Sequence, residues 1–442
     1  MSDTEAVVVR FPPSPTGFFH IGGARTALFN YLFAKKHGGK ILLRFEDTDK
    51  ERSKRGYETD IVDGLNWLGL AMDGLPVRQS ERGAVYKKYL ETLISKGFAY
   101  VSKEQESETG RSEVIRFKNP NKRVFFNDLI RGDISFDTSE LKDFVIAKSI
   151  DEPLYHVAVV VDDFEMKITH VIRGEDHISN TPRQILIQEA IGASTPVYAH
   201  LPLILAPDRS KLSKRHGAVS VLEYRKMGYE PEALLNYLAL LGWNPGVNQE
   251  IFTLTDLIDQ FDVKKIHKGG AIFDLEKLNW INREYLKRKG VQPIINKLCD
   301  LLPKLSLEQI HKVALVMVER ISRLGEIDDV IASGEFDYLV GTPDYSVELL
   351  LWKDTHDSKL TQKHLLAVLK MLNDIQDNDF NKDTVKKALW DYATTAGRGN
   401  VLWPLRVSLS GKKKSPDPFT LLEIIGKDES CKRISAALSK FL

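Results

Sequence analysis

The first 45 residues hold two short apolar runs with an amphipathic segment between them. Residues 6–9 and 41–43 are runs of valine, isoleucine and leucine with one alanine, which predict buried strands. Apolar residues within 24–32 recur at i, i+3, i+4 and i+7, which predicts a helix that ends at Gly38 and Gly39. Strand, helix and strand in this order predict a βαβ unit, and therefore a parallel sheet with a right-handed crossover.

Beyond this unit the pattern is first mixed and then helical. The mixed part predicts helices at 60–70, 85–96 and 182–191 and strands at 124–126, 157–161, 169–172 and 201–205. After about residue 219 the spacing is helical, most clearly at 222–241, 360–372 and 384–396. The chain is thus predicted to be an α/β unit with a mixed insertion, followed by an all-helical C-terminal half. Ligands of such open parallel sheets bind at the carboxyl ends of the strands, where the strand order reverses.

Composition narrows the function classes without identifying one. The 442 residues include 62 Lys and Arg against 61 Asp and Glu, which excludes a polycation that coats nucleic acid but allows a local basic patch. Cys299 and Cys431 are the only cysteines, which excludes a disulfide framework and a cysteine-based zinc site. The acidic, polar N-terminus is unlike a signal peptide, and no apolar run reaches the roughly 18 residues of a membrane span. We therefore expect a cytoplasmic, multidomain protein with no membrane partner.

A glycine-containing loop follows the first predicted strand. Phe19-His20-Ile21-Gly22-Gly23 lies before the first helix, whose N-terminus offers free N–H groups and a positive dipole end to a phosphate. The two glycines let a ligand approach the backbone, and a histidine can donate a hydrogen bond to a phosphate oxygen. No Gly-Lys-Ser or Gly-Lys-Thr follows, so this is not a Walker loop. The pentapeptide alone fits equally well a strand-to-helix turn with a capping histidine.

A basic loop follows the predicted strand at 201–205. Lys211-Leu212-Ser213-Lys214-Arg215-His216-Gly217 concentrates cations, which suits a ligand with several phosphate charges. Taken alone, this loop fits a solvated basic surface better than a phosphate site.

The two loops resemble the paired signature of class I aminoacyl-tRNA synthetases, and further motifs narrow the resemblance. Residues 13–17 followed by 20–27 look like the bacterial-type glutamyl-tRNA synthetase family, as do 44–49, 155–156, 160–163, 171–176, 211–221 and 273–278. The similarity runs from the first strand to the C-terminus and is weaker after about residue 282. It implies a Rossmann-type parallel-sheet catalytic domain with an inserted α+β acceptor-binding segment and an all-α C-terminal half.

The resemblance also implies domain boundaries. The expected parts are the first half of the catalytic domain at 1–98, the acceptor-stem insert at 99–160, the second half with the basic loop at 161–222, a helical stem-contact domain at 223–287 and a helical anticodon-binding region at 288–442.

A two-step reaction is implied by the same resemblance. Glutamate attacks the α-phosphate of ATP to give glutamyl-adenylate and pyrophosphate, and the 3′-terminal adenosine of tRNA(Glu) then takes the glutamyl group. In this family, activation itself generally needs the bound tRNA. The implied catalytic residues, which would stabilise charge on the phosphates, are His20, Lys211 and Lys214. The implied ATP-binding residues, with Mg²⁺ alongside the nucleotide, are Pro12, His20, Gly22, Gly23, Asp176, Ile204, Lys211, Ser213, Lys214 and Arg215.

Glutamate carries two carboxylates and one ammonium, so a selective pocket needs cations and an anion. By resemblance, Arg10 and Arg173 meet the carboxylates and Glu46 meets the ammonium. The implied neutral hydrogen-bonding partners are Ser14, Tyr155 and His177. Structural explanations remain open for four of these residues: a surface salt bridge for Arg10, a helix N-terminal acid for Glu46, core packing for Tyr155 and a turn for Arg173.

On the RNA side, the last 48 residues hold nine Lys and Arg against four Asp and Glu, which suits phosphate contacts. Arg398, Trp403 and Arg406 are expected to grip or stack on anticodon bases, with core packing as the alternative for Trp403. Where some family members carry a cysteine-rich zinc knob, this chain reads Tyr100-Val101-Ser102, so no metal held by the protein and no zinc are expected. By resemblance the protein is a monomer that does not bind DNA.

Two other interpretations remain. A small-molecule nucleotidyltransferase of the same superfamily would use similar loops without tRNA, and the long helical C-terminal half argues against it. A non-catalytic RNA-binding relative would keep the fold but not the chemistry, and the intact Lys211-to-Lys214 loop argues against that.

Overall fold

The structure, a computed structural model, describes residues 6–103, 113–210, 212, 219–352 and 357–441. It consists of two compact units, Met1–Asn282 and Arg283–Leu442, and the division falls inside one helix, Leu275–Lys289. Across the described ranges, no helix has the length and apolar character needed to cross a bilayer.

The first unit is mixed α/β. Its strands are β1 (Val8–Phe11), β2 (Lys40–Phe45), β3 (Val77–Arg78), β4 (Ala99–Lys103), β5 (Glu113–Phe117), β6 (Arg123–Asp128), β7 (Gly132–Asp137), β8 (Phe144–Ser149), β9 (Glu152–Pro153), β10 (His170–Gly174), β11 (Val197–Leu201), β12 (Ile204–Leu205) and β13 (Ala271–Ile272). Its helices are α1 (Ile21–Lys36), α2 (Arg55–Trp67), α3 (Gly83–Ser95), α4 (Tyr155–Glu165), α5 (Thr181–Ile191), α6 (Val221–Lys226), α7 (Pro231–Leu240), α8 (Leu254–Gln260) and α9 (Leu275–Lys289), the last of which continues into the second unit.

The parallel sheet predicted from the first βαβ unit is confirmed. β1 pairs in parallel with β2, β2 with β3, β10 with β11, and β11 with β6, while β7 closes the edge as an antiparallel hairpin with β6. The N–H of Thr169 donates to the carbonyl of Val8 over 2.9 Å, which places β1 beside β10. The strand order reverses between these two neighbours, as in doubly wound folds.

The inserted segment is divided between two sheets. Strands β4, β5, β8 and β9 form an antiparallel sheet of their own, whereas β6 joins the parallel sheet through Tyr198 and Asp128. The finer division of the chain into five domains stays a prediction.

The strand predicted at 157–161 is wrong, because these residues lie in α4. Every residue from 157 to 163 is buried, so the run shows neither the helical nor the strand period that distinguishes the two elements. Two other predicted elements are interrupted. The helix at 222–241 is broken into α6 and α7 by Gly228, at φ +81°, and by Pro231. The strand at 201–205 is split between β11 and β12, which belong to different sheets.

The other elements lie where the pattern places them, within a few residues. The first strand begins two residues later than predicted, at Val8. Helix α1 buries its apolar face under the sheet and ends at His37, next to the predicted glycine stop. Strands β2 and β6 and helix α5 contain the predicted positions, and β10 begins one residue later than predicted, at His170.

The second unit is helical over the part that the structure describes. Its helices are α10 (Gln292–Leu301), α11 (Leu307–Val318), α12 (Glu326–Ala332), α13 (Ser358–Asn373), α14 (Lys382–Ala396), α15 (Arg398–Ser410), α16 (Pro418–Ile425) and α17 (Lys427–Ser439). A single apolar core holds them together, which includes Leu298, Met317, Leu365 and Leu405.

Candidate active site

Two arginines lie at the point where the strand order reverses. Arg10 is in the last half of β1 and Arg173 is the penultimate residue of β10, the strand beside it. Parallel strands present their carboxyl ends at one edge of the sheet, so both guanidinium groups belong to the edge at which such folds bind ligands. Both arginines therefore lie at the carboxyl edge of the sheet, where the sequence predicts the site.

Arg10 is almost completely buried, and its hydrogen bonding is incomplete. Its Nε donates to Asp163 Oδ1 over 3.2 Å. Its Nη1 is buried without a hydrogen-bond partner in the described part of the chain. Buried donors in proteins are nearly always paired with protein, water or ligand, so this nitrogen is available to an acceptor that a ligand supplies.

Glu46 is held by a second buried arginine. Arg44, in β2, donates from Nη2 to Glu46 Oε1 over 3.1 Å and from Nη1 to Asp163 Oδ1 over 2.7 Å. Burial would lower the pKa of Arg44, but Asp163, Glu46 and Asp162 outweigh it and raise the pKa. Burial raises the pKa of Glu46, although Arg44 and Arg10 oppose the shift. An ammonium group beside Glu46 would favour its charged form in the same way.

Tyr155 and His177 form a neutral pair beside these charges. The Tyr155 hydroxyl and His177 Nδ1 are 3.1 Å apart, and Asn180 Nδ2 lies 3.1 Å from the same ring nitrogen. Burial, together with Glu46, raises the pKa of Tyr155 to about 12. Burial, together with Arg173, lowers the pKa of His177 to about 4. Both side chains are therefore uncharged at neutral pH and can only offer neutral hydrogen bonds.

The predicted glutamate-binding residues come together. The charges of Arg10, Arg173 and Glu46 each shift the pKa of Tyr155, and Arg173 and Arg10 both shift that of His177. The N–H of Glu46 donates to the carbonyl of Pro13 over 3.0 Å, which brings the exposed Ser14 next to the group. The edge of the sheet thus gathers all six predicted residues, Arg10, Ser14, Glu46, Tyr155, Arg173 and His177.

The His20 loop joins β1 to α1. His20 is the N-cap of α1, and its Nδ1 accepts a hydrogen bond from the N–H of Gly23 over 3.2 Å. In a neutral imidazole the other nitrogen then carries the proton, so Nε2 is the donor. A Cβ on Gly22 would come within 3.0 Å of His20 Nδ1, so any larger residue there would press against the cap. The structure therefore contains the predicted turn with a capping histidine. The capping hydrogen bond selects the tautomer with an N–H group at Nε2, which is the donor that phosphate binding requires.

The rest of the predicted ATP set is only partly described. Pro12 follows β1, the exposed Asp176 follows β10, and the buried Ile204 is in β12. Gly23 is the third residue of α1. Four predicted residues lie outside the described residues, namely Lys211, Ser213, Lys214 and Arg215.

Both flanks of the basic loop are nevertheless anchored at this site. On one side, the N–H of Leu212 donates to the carbonyl of Ile204 over 3.4 Å. On the other, Ser220 forms a backbone bridge with His20, and the N–H of Val221 donates to the carbonyl of Phe19 over 2.7 Å. The His20 loop is therefore joined through the backbone to Ser220 and Val221, which follow the basic loop.

Among the described residues, no group of three or more His, Cys, Asp and Glu side chains is arranged to hold a metal ion. Mg²⁺ and the absence of zinc both stay predictions, and no step below depends on a metal held by the protein.

The three residues predicted to contact the anticodon are all on α15 of the second unit. The exposed Arg398 places its guanidinium 4.5 Å from the centre of the Trp390 ring. Trp403 is half-buried, tilts against Trp352 and donates from Nε1 to the carbonyl of Leu349 over 2.9 Å. Arg406 is half-buried, and its Nε has no hydrogen-bond partner in the described chain. Core packing accounts for the position of Trp403, and its contact with RNA stays a prediction.

Sequence reasoning missed the buried polar residues behind the site. These are Arg44, Asp128, Asp163 and His200. One signal was available for Asp163, since it follows an uninterrupted apolar run in which an acid must find a partner.

Comparison with known proteins agrees with this geometry. The model of the catalytic domain of class I tRNA synthetases (E and Q) matches residues 6–109 and 101–280, and an anticodon-binding domain model matches 288–438. A glutamate–tRNA ligase from Caldanaerobacter subterraneus subsp. tengcongensis is 38% identical, with 99% of this chain and 98% of the relative covered. One from Carboxydothermus hydrogenoformans is 40% identical, with 97% and 99% covered.

A solved structure has the same fold. The crystal structure of a glutamate tRNA ligase from Elizabethkingia meningosepticum in complex with its amino acid has a TM-score of 0.84 and 33% identity, and it covers 98% of this chain and 99% of its own. With a parallel sheet in its first unit and a helical C-terminal unit, the chain belongs to the glutamyl and glutaminyl group of class I tRNA synthetases.

Proposed function

We propose that the protein attaches L-glutamate to tRNA(Glu) in two steps. ATP and glutamate give glutamyl-adenylate and pyrophosphate, and the glutamyl group then moves to the 3′-terminal adenosine with release of AMP. One observation carries the choice of substrate: two buried arginines, Arg10 and Arg173, converge with one carboxylate, Glu46, at the carboxyl edge of the sheet. These charges complement the two carboxylates and the single ammonium of glutamate.

This arrangement also explains why glutamine would be rejected. An amide in place of the side-chain carboxylate would leave one arginine without its anionic partner in a closed site. Breaking a buried charge pair costs about 3–5 kcal/mol, which corresponds to discrimination of roughly two to four orders of magnitude. The neutral pair of Tyr155 and His177 adds hydrogen bonds without adding a charge that would compete.

For the nucleotide, we assign the phosphates to the N-terminus of α1 and the basic loop. His20 donates from Nε2, while Lys211 and Lys214 stabilise the charge that develops on the α-phosphate and on the leaving pyrophosphate. The remaining contacts are assigned to Pro12, Gly22, Gly23, Asp176, Ile204, Ser213 and Arg215. Mg²⁺ bound with ATP neutralises phosphate charge, as it does for aminoacyl-tRNA synthetases in general.

The second unit supplies the RNA contact in this proposal. The exposed guanidinium of Arg398, the ring face of Trp403 and the guanidinium of Arg406 are assigned to the anticodon. We further propose a zinc-free, cytoplasmic monomer that binds neither DNA nor membrane.

Glutamate-dependent exchange of pyrophosphate into ATP tests the proposal. With the full chain and bulk tRNA, we expect exchange that depends on glutamate and falls strongly when tRNA is left out. Absence of exchange in both conditions would exclude the enzyme, whereas equal exchange without tRNA would favour a nucleotidyltransferase that does not use RNA. Glutamine in place of glutamate serves as the specificity control.

Replacing Lys214 with alanine tests the assignment of the basic loop. Because this lysine acts on charge that develops during the reaction, kcat should fall about 10²-fold while KM for glutamate changes little. Lys40→Ala is the matched control, since Lys40 is an exposed lysine at the opposite, amino end of β2. Equal losses in kcat and in glutamate binding would indicate that Lys214 is only structural.

A further inference from the structure

The environment of Arg173 is unusual for a buried arginine. Its Nε donates to His200 Nε2 over 3.2 Å, and its Nη2 donates to Thr181 Oγ1 over 2.8 Å and to the carbonyl of His177 over 3.5 Å. All of these acceptors are neutral, and no carboxylate lies within 4 Å of the guanidinium in the described part of the chain. Arg173 is thus oriented by hydrogen bonds while its positive charge stays uncompensated.

His200 connects this arginine to a buried acid. Its Nδ1 is 2.6 Å from Asp128 Oδ2, and neither side chain is exposed. Burial would raise the pKa of Asp128, but the hydrogen bond from His200 and backbone N–H groups outweigh it and lower the pKa. Burial lowers the pKa of His200 despite Asp128. An ionised Asp128 therefore keeps the single imidazole proton on Nδ1, and the lone pair of Nε2 faces Arg173.

The backbone holds these three residues in a row across the sheet. Arg173 and His200 are direct partners in the parallel pair of β10 and β11, and Asp128 lies on β6, the next strand, opposite Tyr198. Asp128 is itself fixed, since its Oδ1 accepts from the N–H groups of Ile130 and Arg131 over 2.9 and 2.8 Å. The Tyr198 ring stacks on the His200 ring at 5.9 Å and lies 5.6 Å from the Arg173 guanidinium.

We propose that Asp128 and His200 are positioning residues that fix one imidazole tautomer and so aim the Arg173 guanidinium at the substrate carboxylate. The proposal rests on the proposed function, in which Arg173 binds glutamate. A carboxylate at position 200 would orient the arginine equally well, but it would also neutralise it and compete with the substrate. A neutral ring nitrogen orients the guanidinium and leaves its charge for the ligand.

The tautomer makes the proposal testable. The N–H of His200 donates to Asp128 Oδ1 over 3.3 Å and to Oδ2 over 3.0 Å. In Asp128→Asn, an amide oxygen at the Oδ1 position can still accept from Ile130, Arg131 and the N–H of His200, but the amide nitrogen would face His200 Nδ1 and donate to it. The imidazole proton would then move to Nε2 and point at the Nε–H of Arg173, so two donors would oppose each other. In His200→Gln, the amide oxygen can replace Nε2 as the acceptor, and in His200→Leu nothing replaces it.

The experiment measures kcat and KM for glutamate and KM for ATP by pyrophosphate exchange with bulk tRNA. Asp128→Asn and His200→Leu should each raise KM for glutamate about tenfold or more, because a hydrogen bond to a charged group is lost, with KM for ATP within twofold of wild type. His200→Gln should return to within about threefold. The double variant Asp128→Asn/His200→Gln should equal His200→Gln alone, because a glutamine has no tautomer that the change at position 128 could reverse.

His364→Gln is the matched control. His364 is a buried histidine of the second unit whose Nδ1 is 2.8 Å from the Tyr392 hydroxyl, and its replacement should leave KM for glutamate unchanged. Additive effects in the double variant, or equal increases in KM for ATP and glutamate, would overturn the positioning role. If His200→Leu does not fold, the comparison of Asp128→Asn with the double variant still tests the positioning role. Wild-type protein without glutamate-dependent exchange would instead remove the proposed function, and the positioning role with it.

Discussion

Arg173→Ala is expected to lower kcat/KM for glutamate by roughly 10²- to 10³-fold, mostly through KM. The guanidinium is buried, forms no ion pair with a carboxylate in the described part of the chain, and is oriented by neutral acceptors. Its removal would leave a substrate carboxylate without its buried partner, which costs about 3–5 kcal/mol. Because the carboxylate is bound in both the ground state and the transition state, the loss falls on binding. Steady-state pyrophosphate exchange over a wide range of glutamate concentrations measures it.

Two further variants test whether the change in KM for glutamate is specific to the Arg173 guanidinium. Arg173→Lys keeps the charge but lacks the planar fork and the Nε–H that His200 accepts, so its loss should be intermediate. Arg433→Ala removes a buried arginine of the second unit, which pairs with Glu429, and should leave KM for glutamate unchanged. A wild-type KM for glutamate in Arg173→Ala would contradict the assignment of this residue to the substrate.

The site could be found from the sequence because its parts are local. His20, Gly22 and Gly23 lie within four residues of one another. A short loop that caps a helix can be recognised in a sequence without knowing where the helix packs. The pairing of the His20 loop with the segment that holds Ser220 is predicted only through resemblance, since the bridge between His20 and Ser220 joins residues that are 200 positions apart.

The supporting residues could not be found in the same way. Arg173 and His200 become neighbours only through the register of β10 and β11, and Asp128 joins them from a segment that reads as an insertion. The helix α4 was mistaken for a strand because complete burial removes the polar positions that reveal a period. Patterns of hydrophobicity identify elements, whereas the partners of a buried charge depend on which elements become adjacent.

Asp163→Asn is expected to destabilise the first unit by about 3–5 kcal/mol at neutral pH. A single oxygen, Oδ1, accepts from Arg10 Nε over 3.2 Å and from Arg44 Nη1 over 2.7 Å, and all three side chains are buried. An asparagine would leave the two guanidinium groups without their shared anion. The same change would release Arg10, so glutamate binding should weaken along with stability.

The pH dependence separates loss of the charge from loss of packing. Burial would raise the pKa of Asp163, but Arg10 and Arg44 outweigh it and hold the pKa below its ordinary value. A carboxyl group whose pKa is lower in the folded state contributes stability above its unfolded pKa, about 4, and loses it as the pH falls through the folded pKa. The difference in unfolding free energy between wild type and Asp163→Asn should therefore be largest near pH 7 and shrink below about pH 4.

Pulsed hydrogen exchange across a urea series measures this difference for the first unit alone, in peptides from β1, β2 and α4. Asp151→Asn is the matched control, because the pair of Asp151 and Lys87, 3.0 Å apart, is exposed and screened by solvent. Its unfolding should match wild type at every pH. A difference for Asp163→Asn that does not vary with pH would mean that the side chain stabilises the unit through packing and not through its charge. The orientation of Arg10 and Glu46 would then have another cause. A difference that shrinks in acid would show that Asp163 stabilises the first unit through its negative charge.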